Sequence, residues 1–408
     1  MKKTVIIVGG GQAACSCAFK LRELGYDGQI LIISSELSKP YHRPPLSKKY
    51  LLGSVERNNL EIKSEFLYQS QRIDVLLGTT VTEIDRDKRQ VVVNGGRRFT
   101  YQTLVLATGA NARELPEAQG GGASNVLTLR TLDDADRLRP FLKKASSLLV
   151  VGGGYIGLEM AAVARSLGLN VTLIELSDRI LNRVASAKTA HFFKSLHCRE
   201  GVVIHENTSI VSVTRQEGKV VSAELSNGVH IDVDFIVAGI GVTVNTSLAL
   251  RAGLETGLGI EVDEAGRTSD PAIYSAGDCA SFEFRGLSIR LESIQNAVDQ
   301  ADSVAQSIVN PGFKYRPLPW FWSDQYDTKL QTAGLNTGYT KSVFRPSTKR
   351  NDAASVWYFD DKRLLAVDAI NEPSTFMIAK ALLKEEICLD AETLSEVDNI
   401  RSLLPMRN

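Results

Sequence analysis

Cysteine is present in this chain, but in none of the arrangements that usually give it a chemical role. Cys15, Cys17, Cys198, Cys279 and Cys388 form no CxxC pair and no metal-ligand cluster. That spacing excludes a disulfide framework and leaves buried free thiols in a reducing compartment. The five histidines (His42, His191, His197, His205, His230) lack zinc spacing too. His191 and His197 stand six apart and His230 falls in a predicted strand, so no metal is expected. Net charge is missing as well, because 47 basic residues balance 47 acidic ones. The overall balance therefore points to no nucleic-acid or membrane partner, and only local unevenness carries information. Long apolar runs are also absent: none reaches the roughly 18 residues of a membrane span. Val5–Val8, after Met1-Lys2-Lys3, is too short for the core of a signal peptide and breaks into three glycines. A soluble protein of the cytoplasm is expected.

What the sequence does have is a repeat, in a chain of 408 residues with room for two or three domains. Val5-Ile6-Ile7-Val8-Gly9-Gly10-Gly11-Gln12-Ala13-Ala14 returns as Leu148-Leu149-Val150-Val151-Gly152-Gly153-Gly154-Tyr155-Ile156-Gly157. Each copy leads into a helical pattern and then a second apolar run, Ile30–Ile33 or Val171–Ile174. Strand, glycine turn, helix, strand is a βαβ unit. Further predicted strands run into glycine: Thr103–Ala107 into Thr108-Gly109, Phe235–Ala238 into Gly239-Ile240-Gly241, and Ile273–Ala276 into Gly277-Asp278. Strands that end this way bring backbone close to a ligand at the crevice of a sheet. The last ~90 residues carry no such fingerprint. There Ser355–Phe359 and Leu364–Ile370 read as strands across an Asp360–Arg363 turn, with a helix near Pro373–Lys384.

The glycines have separate tasks. In Gly9-x-Gly11-x-x-Ala14 and Gly152-x-Gly154-x-x-Gly157 the first permits the tight turn. The second lets backbone approach a pyrophosphate, and the third position is small so that helix and strand pack closely. The helix N-terminus then offers unpaired N–H groups to the phosphates. Glu36 lies 25 residues after Gly11 and Glu175 lies 21 after Gly154, where an acid accepts hydrogen bonds from ribose hydroxyls. Two dinucleotides are implied. A carboxylate at Glu175 favours NAD over NADP, although Arg179 and Arg183 stand nearby and soften that preference.

Other stretches are more specific than the loops: Pro40-Tyr41-His42-Arg43-Pro44-Pro45-Leu46-Ser47-Lys48, Ala107-Thr108-Gly109, Leu129-Arg130-Thr131-Leu132, Gly152–Glu159, Thr268–Asp278 and Pro319-Trp320-Phe321-Trp322-Ser323-Asp324-Gln325. In these the chain resembles the ferredoxin reductases of bacterial oxygenase systems, the putidaredoxin reductase and biphenyl dioxygenase reductase family of glutathione-reductase-like flavoproteins. The resemblance implies an α/β fold with two Rossmann-like dinucleotide-binding domains and a C-terminal α+β domain. A discontinuous FAD domain (1–113 and 245–318) is expected to be interrupted by an NAD domain (114–244), with 319–408 as the third.

By the same resemblance, Gly9, Gly11, Ala13 and Ala14 cradle the FAD pyrophosphate. Ser35 and Glu36 take the ribose position, where Ser34-Ser35 departs from the family's Gly-Asp. Arg43 and Lys48 contact the isoalloxazine region, Val81 meets adenine through its backbone, and Ala107, Thr108 and Gly109 line the cofactor. Arg130 meets its polar groups, Gly277 and Asp278 form the second FAD fingerprint, and Ile294 sits at the pyrimidine end of the flavin. NAD falls to Gly152, Gly154, Tyr155, Ile156, Gly157, Glu159, Glu175 and Gly241. Lys48, Glu159 and Trp322 are the candidates for the reacting centre: a Lys48–Glu159 pair near the flavin, and an aromatic shielding it on the side of the electron acceptor. Tyr155 would stack where nicotinamide enters.

The implied activity is hydride transfer from NADH to FAD, then single electrons to a [2Fe–2S] ferredoxin serving a Rieske dioxygenase or haem monooxygenase. No general base is needed, and no Ser/His/Asp or paired-acid constellation is found. Lys341, Arg345, Lys349 and Arg350 form an acid-free basic stretch; a docking rim for an acidic ferredoxin and a solvated loop both remain open. Rubredoxin reduction, an NADH oxidase-like activity, and a non-catalytic flavoprotein that signals its NADH-bound state are the alternatives. A flavin disulfide reductase is disfavoured, since Cys15 and Cys17, two apart on a helix, share no face.

Overall fold

The computed structural model describes residues 3–397 and 399–404. The chain forms two compact units, Met1–His42 with Arg57–Asn111 and Thr243–Pro319, and Arg43–Glu56 with Ala112–Val242 and Trp320–Asn408.

In the first unit the apolar runs become a parallel five-stranded sheet. Its order is Ile273–Ser275, Thr103–Leu106, Thr4–Val8, Gln29–Ile33, Ile73–Leu76. Parallel strands covered on both faces need near-continuous apolar sequence. Ile6, Ile7, Ile30, Ile32, Leu104 and Val105 have no exposure, and each such burial contributes about 1.5–3 kcal/mol. The helix Gln12–Glu23 packs on the helix Ile294–Val309 through small residues, Ala14, Cys17, Ala18, Ala297 and Ala301.

The second unit holds a matching parallel sheet, ordered Val203–His205, Asn170–Ile174, Ser147–Val151, Phe235–Ala238, Val126–Thr128. It also holds a five-stranded antiparallel sheet, Trp320–Gln325, Thr328–Gly334, Arg363–Ile370, Ala354–Asp360, Lys341–Pro346, covered by the helix Pro373–Lys384. The two last strands expected from the sequence pair antiparallel across the turn at Asp360.

Arg43–Glu56, expected with the FAD domain, clusters with the second unit because its side chains bond there: Ser47 to Glu159 and Tyr50 to Asp136. Of the stretch 319–408, expected as a third domain, the described residues from Trp320 on cluster with that unit, tied in through Ser323 to Glu159 and Thr189 to Asp368.

Candidate functional site

The repeat is geometric as well as sequential. Gly9 and Gly152 open their loops at φ +130° and +106°, a region where a side chain is strained. A Cβ on Gly9 would lie 2.0 Å from the Ala107 carbonyl oxygen, and one on Gly152 would lie 2.5 Å from that of Gly239. Each loop is thus pressed onto the end of the neighbouring strand. Gly11 and Gly154, by contrast, face open space. They are the N-caps of the helices Gln12–Glu23 and Tyr155–Ser166, and neither helix has a side-chain cap. The helices starting at Leu132, Ala187 and Ile294 are capped by Thr131, Ser186 and Ser293. Uncapped first-turn N–H groups beside an open glycine suit a bound pyrophosphate.

Orphaned polar atoms point the same way. In the first unit Gln12 Oε1 is buried with no partner, and in the second Arg179 Nη1 is likewise buried and unpartnered. One acceptor beside the first loop and one donor after the strand Asn170–Ile174 fit the hydroxyls and phosphates of nucleotides. The residues present therefore fit FAD in the first unit and NAD in the second.

Around the first loop, Ala13 and Ala14 are buried. Ser35 is exposed and Glu36 half-buried, with its carboxylate accepting from the Tyr41 hydroxyl at 2.6 Å. The closest residue of that turn to the loop is the buried Ser34, whose Oγ would lie 2.1 Å from a Cβ on Gly10. Thr108 and Asn245 exchange hydrogen bonds of 2.8 and 2.9 Å, fixing Ala107-Thr108-Gly109. The Gly277 N–H donates to the buried Gln300 Oε1 at 2.9 Å, and Arg290 donates to the Asp278 carbonyl. Ile294 is the first residue of its helix, and Val81 opens an edge strand of a small antiparallel sheet.

In the second unit Glu175 has its carboxylate engaged by the N–H groups of Gly153 (2.6 Å) and Ser177 (2.8 Å), so it ties the glycine loop to the turn after its own strand. Gly157 is needed for space: a Cβ there would lie 2.0 Å from the Gly152 oxygen. Ile156 is exposed, and Gly241 stands at φ +99° beside Arg183. Arg43 donates to the Arg130 carbonyl at 2.8 Å, while the Arg130 N–H donates to Asp134 at 3.0 Å.

Lys48 and Glu159, far apart in sequence, meet at 3.0 Å. Glu159 is 3% exposed and Lys48 is 17% exposed, so the pair is held largely away from water. The carboxylate also accepts from Ser47 Oγ at 2.5 Å and Ser323 Oγ at 2.6 Å. Burial pushes the Glu159 carboxyl above its ordinary value, against the opposing pull of Lys48, Ser323 and Ser47.

The strand Trp320–Gln325 presents two faces. Phe321 stacks on Tyr155 at 4.4 Å, and Ser323 and Gln325 are fully buried on that side. On the other, half-buried Trp322 packs against Trp320, which in turn meets Phe376. Burial drives the Tyr155 phenol well above its ordinary value, with Thr332 opposing the shift.

Residues 3–301 match the family described as pyridine nucleotide-disulphide oxidoreductase, and residues 320–404 match the reductase C-terminal family. This chain is a pyridine nucleotide-disulphide oxidoreductase. It is 38% identical to putidaredoxin reductase of Pseudomonas putida over 96% of this chain and 94% of that protein. It is also 38% identical to a rubredoxin-NAD(+) reductase of the same organism over 90% and 96%. The crystal structure of the covalent putidaredoxin reductase–putidaredoxin complex superposes with a TM-score of 0.94 at 38% identity, covering 98% of each chain. Membership implies FAD and NAD(H) as cofactors and an oxidoreductase activity.

The family name includes disulphide chemistry, which these cysteines do not support. Cys15, Cys17 and Cys279 are buried in core. Burial pushes the Cys15 thiol up to about 11 and Cys17 higher still, so neither is a thiolate at neutral pH. In the basic stretch, Arg345 donates to the carbonyls of Leu394 and Val397, and Arg350 pairs with Asp352 at 2.6 Å. Lys341 and Lys349 are exposed. Sequence reasoning missed the partners of the site: Ser47, Ser323, Gln325 and His197 around Glu159, and Thr332 behind Tyr155. The one signal for Ser323 and Gln325 was the period-2 spacing that puts both on one strand face. Among the described residues, no helix is long and apolar enough to cross a membrane.

Proposed function

We propose that this chain is an NADH-dependent ferredoxin reductase that supplies single electrons to a [2Fe–2S] protein of a Rieske dioxygenase or haem monooxygenase. The observation that carries this is the buried Lys48–Glu159 pair in a chain with two open, uncapped dinucleotide loops. FAD held in the first unit would supply the hydride-accepting and single-electron-donating chemistry that couples NADH to two acceptor molecules.

The protein binds, orients and sets charge. Gly9, Gly11, Ala13 and Ala14 hold the FAD pyrophosphate, with Ser35 and Glu36 at the ribose and the Val81 backbone at adenine. Ala107, Thr108, Gly109, Gly277, Asp278 and Ile294 hold the flavin end, with Arg43 and Arg130 at its polar groups. Gly152, Gly154, Tyr155, Ile156, Gly157, Glu175 and Gly241 orient NADH. Lys48 presents a positive charge to the flavin and Glu159 fixes it there. Trp322 excludes water from the ring. The docking rim is centred on Lys341 and Lys349, because Arg345 and Arg350 have partners within the chain.

Anaerobic addition of NADH to the purified protein should bleach a flavin spectrum, and a [2Fe–2S] ferredoxin should then be reduced at catalytic rates. Bleaching with efficient reduction of rubredoxin instead would move the acceptor, a reading favoured by the rubredoxin-NAD(+) reductase relative. Rapid reoxidation by oxygen alone would make the chain an oxidase, and a long-lived NAD-bound reduced form that reduces neither protein would make it a signalling flavoprotein.

A further inference from the structure

Glu159 accepts from a buried chain of groups that reaches back to the helix Ala187–Arg199. Ser323 Oγ lies 2.6 Å from Glu159 Oε1, Gln325 Nε2 lies 3.2 Å from Ser323 Oγ, and His197 Nε2 lies 2.8 Å from Gln325 Oε1. The Tyr326 hydroxyl closes the series, 3.4 Å from His197 Nδ1. Ser323, Gln325 and His197 have no solvent exposure, so bulk solvent does not reach the series.

Such a chain has two possible polarities, and the ends decide between them. An ionised carboxylate only accepts, so Ser323 must donate to Glu159. Its oxygen must then accept, which requires Gln325 to present its amide N–H. The Gln325 carbonyl is left facing His197, which must donate from Nε2. Nδ1 then accepts from Tyr326. In the opposite direction His197 carries its proton on Nδ1, the Gln325 amide turns over, and the Ser323 proton points away from Glu159. That arrangement sets an oxygen lone pair against a buried carboxylate.

We infer that His197, Gln325 and Ser323 are positioning residues: the tautomer of His197 sets the direction of the chain, and the chain keeps Glu159 ionised opposite Lys48. The inference rests on the proposed placing of that pair at the flavin only for its redox consequence. Burial holds His197 down at about 4, so it is neutral and carries one proton at working pH. The other groups facing Glu159 are few. Lys48 comes from the turn after Pro44–Ser47, with Asp324 of the strand Trp320–Gln325 3.9 Å behind it and Lys329 2.9 Å from Asp324. Tyr155, four residues before Glu159 on its own helix, is a neutral phenol. Lys48 is thus the one cation bonded to Glu159 among the described residues, and the hydroxyl donors supply the remaining support.

The test replaces links remote from Lys48 in the flavin-loaded enzyme. Glutamate is labelled with 13C at the side-chain carboxyl, Glu159 is assigned by its loss in Glu159→Gln, and its ionisation is followed against pH. His197→Phe, Gln325→Leu and Ser323→Ala should each raise its proton affinity by about tenfold or more. Ser323→Thr, which keeps the hydroxyl, should return the parent value. The flavin midpoint potential should rise in the same three variants at neutral pH, because a protonated Glu159 leaves the Lys48 charge uncompensated and favours the reduced flavin. Folded variants, checked by circular dichroism, in which Glu159 titrates as in the parent would overturn the chain. A moved titration with an unmoved potential upholds the chain and instead places Lys48 and Glu159 away from the flavin.

Discussion

The Thr332 hydroxyl donates to Oδ1 of Asp368 at 2.6 Å. Asp368 has no exposure and accepts from Thr189, at 2.7 Å, and Tyr358 as well. Burial raises its carboxyl above the ordinary value while these hydroxyls oppose the shift. Since the carboxylate accepts, Thr332 donates to it, and Thr332 so held backs Tyr155, the first residue of the NAD-loop helix, from the antiparallel sheet. Thr332→Val keeps the shape and removes the link. It should raise the KM for NADH about fivefold with little change in kcat, the worth of one neutral hydrogen bond. A lowered KM in stopped-flow reduction would mean that the link holds Tyr155 in the way of the nucleotide.

The two loops differ at their third small position, Ala14 in one and Gly157 in the other. Ala14 is tolerated, but a Cβ at Gly157 would strike the Gly152 oxygen and sit 3.3 Å from Val150 Cγ1. Gly157→Ala should therefore displace the second loop alone. The expected result is full FAD content by absorbance with at least about tenfold weaker NADH binding, the cost of shifting backbone by about 1 Å at a phosphate site. Loss of FAD instead would mean that the loops are not independent.

Much of the fold is legible because it depends on strong local patterns. Val5–Val8 and Leu148–Val151 are too apolar for a surface, and the glycines after them have strained or crowded positions that other residues would not fill. The site is legible only where one residue type carries the message, as in the glycines, Lys48 and Glu159. Its supporting bonds are not. Ser47 reaches Glu159 across 112 positions and Thr189 reaches Asp368 across 179, and serine or threonine in a helix is ordinary. Glu175 shows the reverse limit. Its spacing marks a ribose ligand, and no spacing reveals that its carboxylate also accepts from Gly153 of the glycine loop and from Ser177. The grouping of Arg43–Glu56 with the second unit also followed from side-chain bonds that no periodicity reveals.

Removing Lys48 should make stability depend on pH in a particular direction. Burial already holds the folded-state pKa of Glu159 above its ordinary value, and Lys48→Met takes away the main opposing charge. A carboxyl whose folded pKa is raised binds protons more tightly folded than unfolded. Its stabilising contribution is complete below the unfolded pKa and is lost as pH rises through the folded one. The variant's urea midpoint should fall steadily from pH 5 towards pH 8, the loss approaching about 3 kcal/mol. A flat profile would show that Glu159 is solvated once Lys48 is gone.

The cysteines should be dispensable for electron transfer. Cys15 and Cys17 lie in the packing between Gln12–Glu23 and Ile294–Val309, with thiols driven away from ionisation by burial. Cys15→Ala with Cys17→Ala should keep the rate of NADH-driven acceptor reduction within about twofold and cost roughly 1–2 kcal/mol in urea unfolding, the loss of two small buried groups. A loss of flavin reoxidation with the fold intact would restore a dithiol mechanism.

The last expectation separates docking charge from structural charge in the C-terminal strand Lys341–Pro346 and the turn after it. Lys341 and Lys349 are exposed, whereas Arg345 closes the end of the helix Ala391–Glu396 through Leu394 and Val397. Charge reversal at Lys341 and Lys349 together should raise the KM for an acidic ferredoxin several-fold at low salt. The difference should shrink as ionic strength passes about 0.1 M, where the screening length is near 10 Å. NADH reduction of the flavin, which involves no partner, should be unchanged. Arg345→Ala should lower the melting temperature and affect the ferredoxin KM only in proportion to the unfolded fraction. If instead the lysine reversals leave the ferredoxin KM unchanged at low salt, the electron acceptor binds another face of the enzyme, and the basic stretch is only a solvated loop.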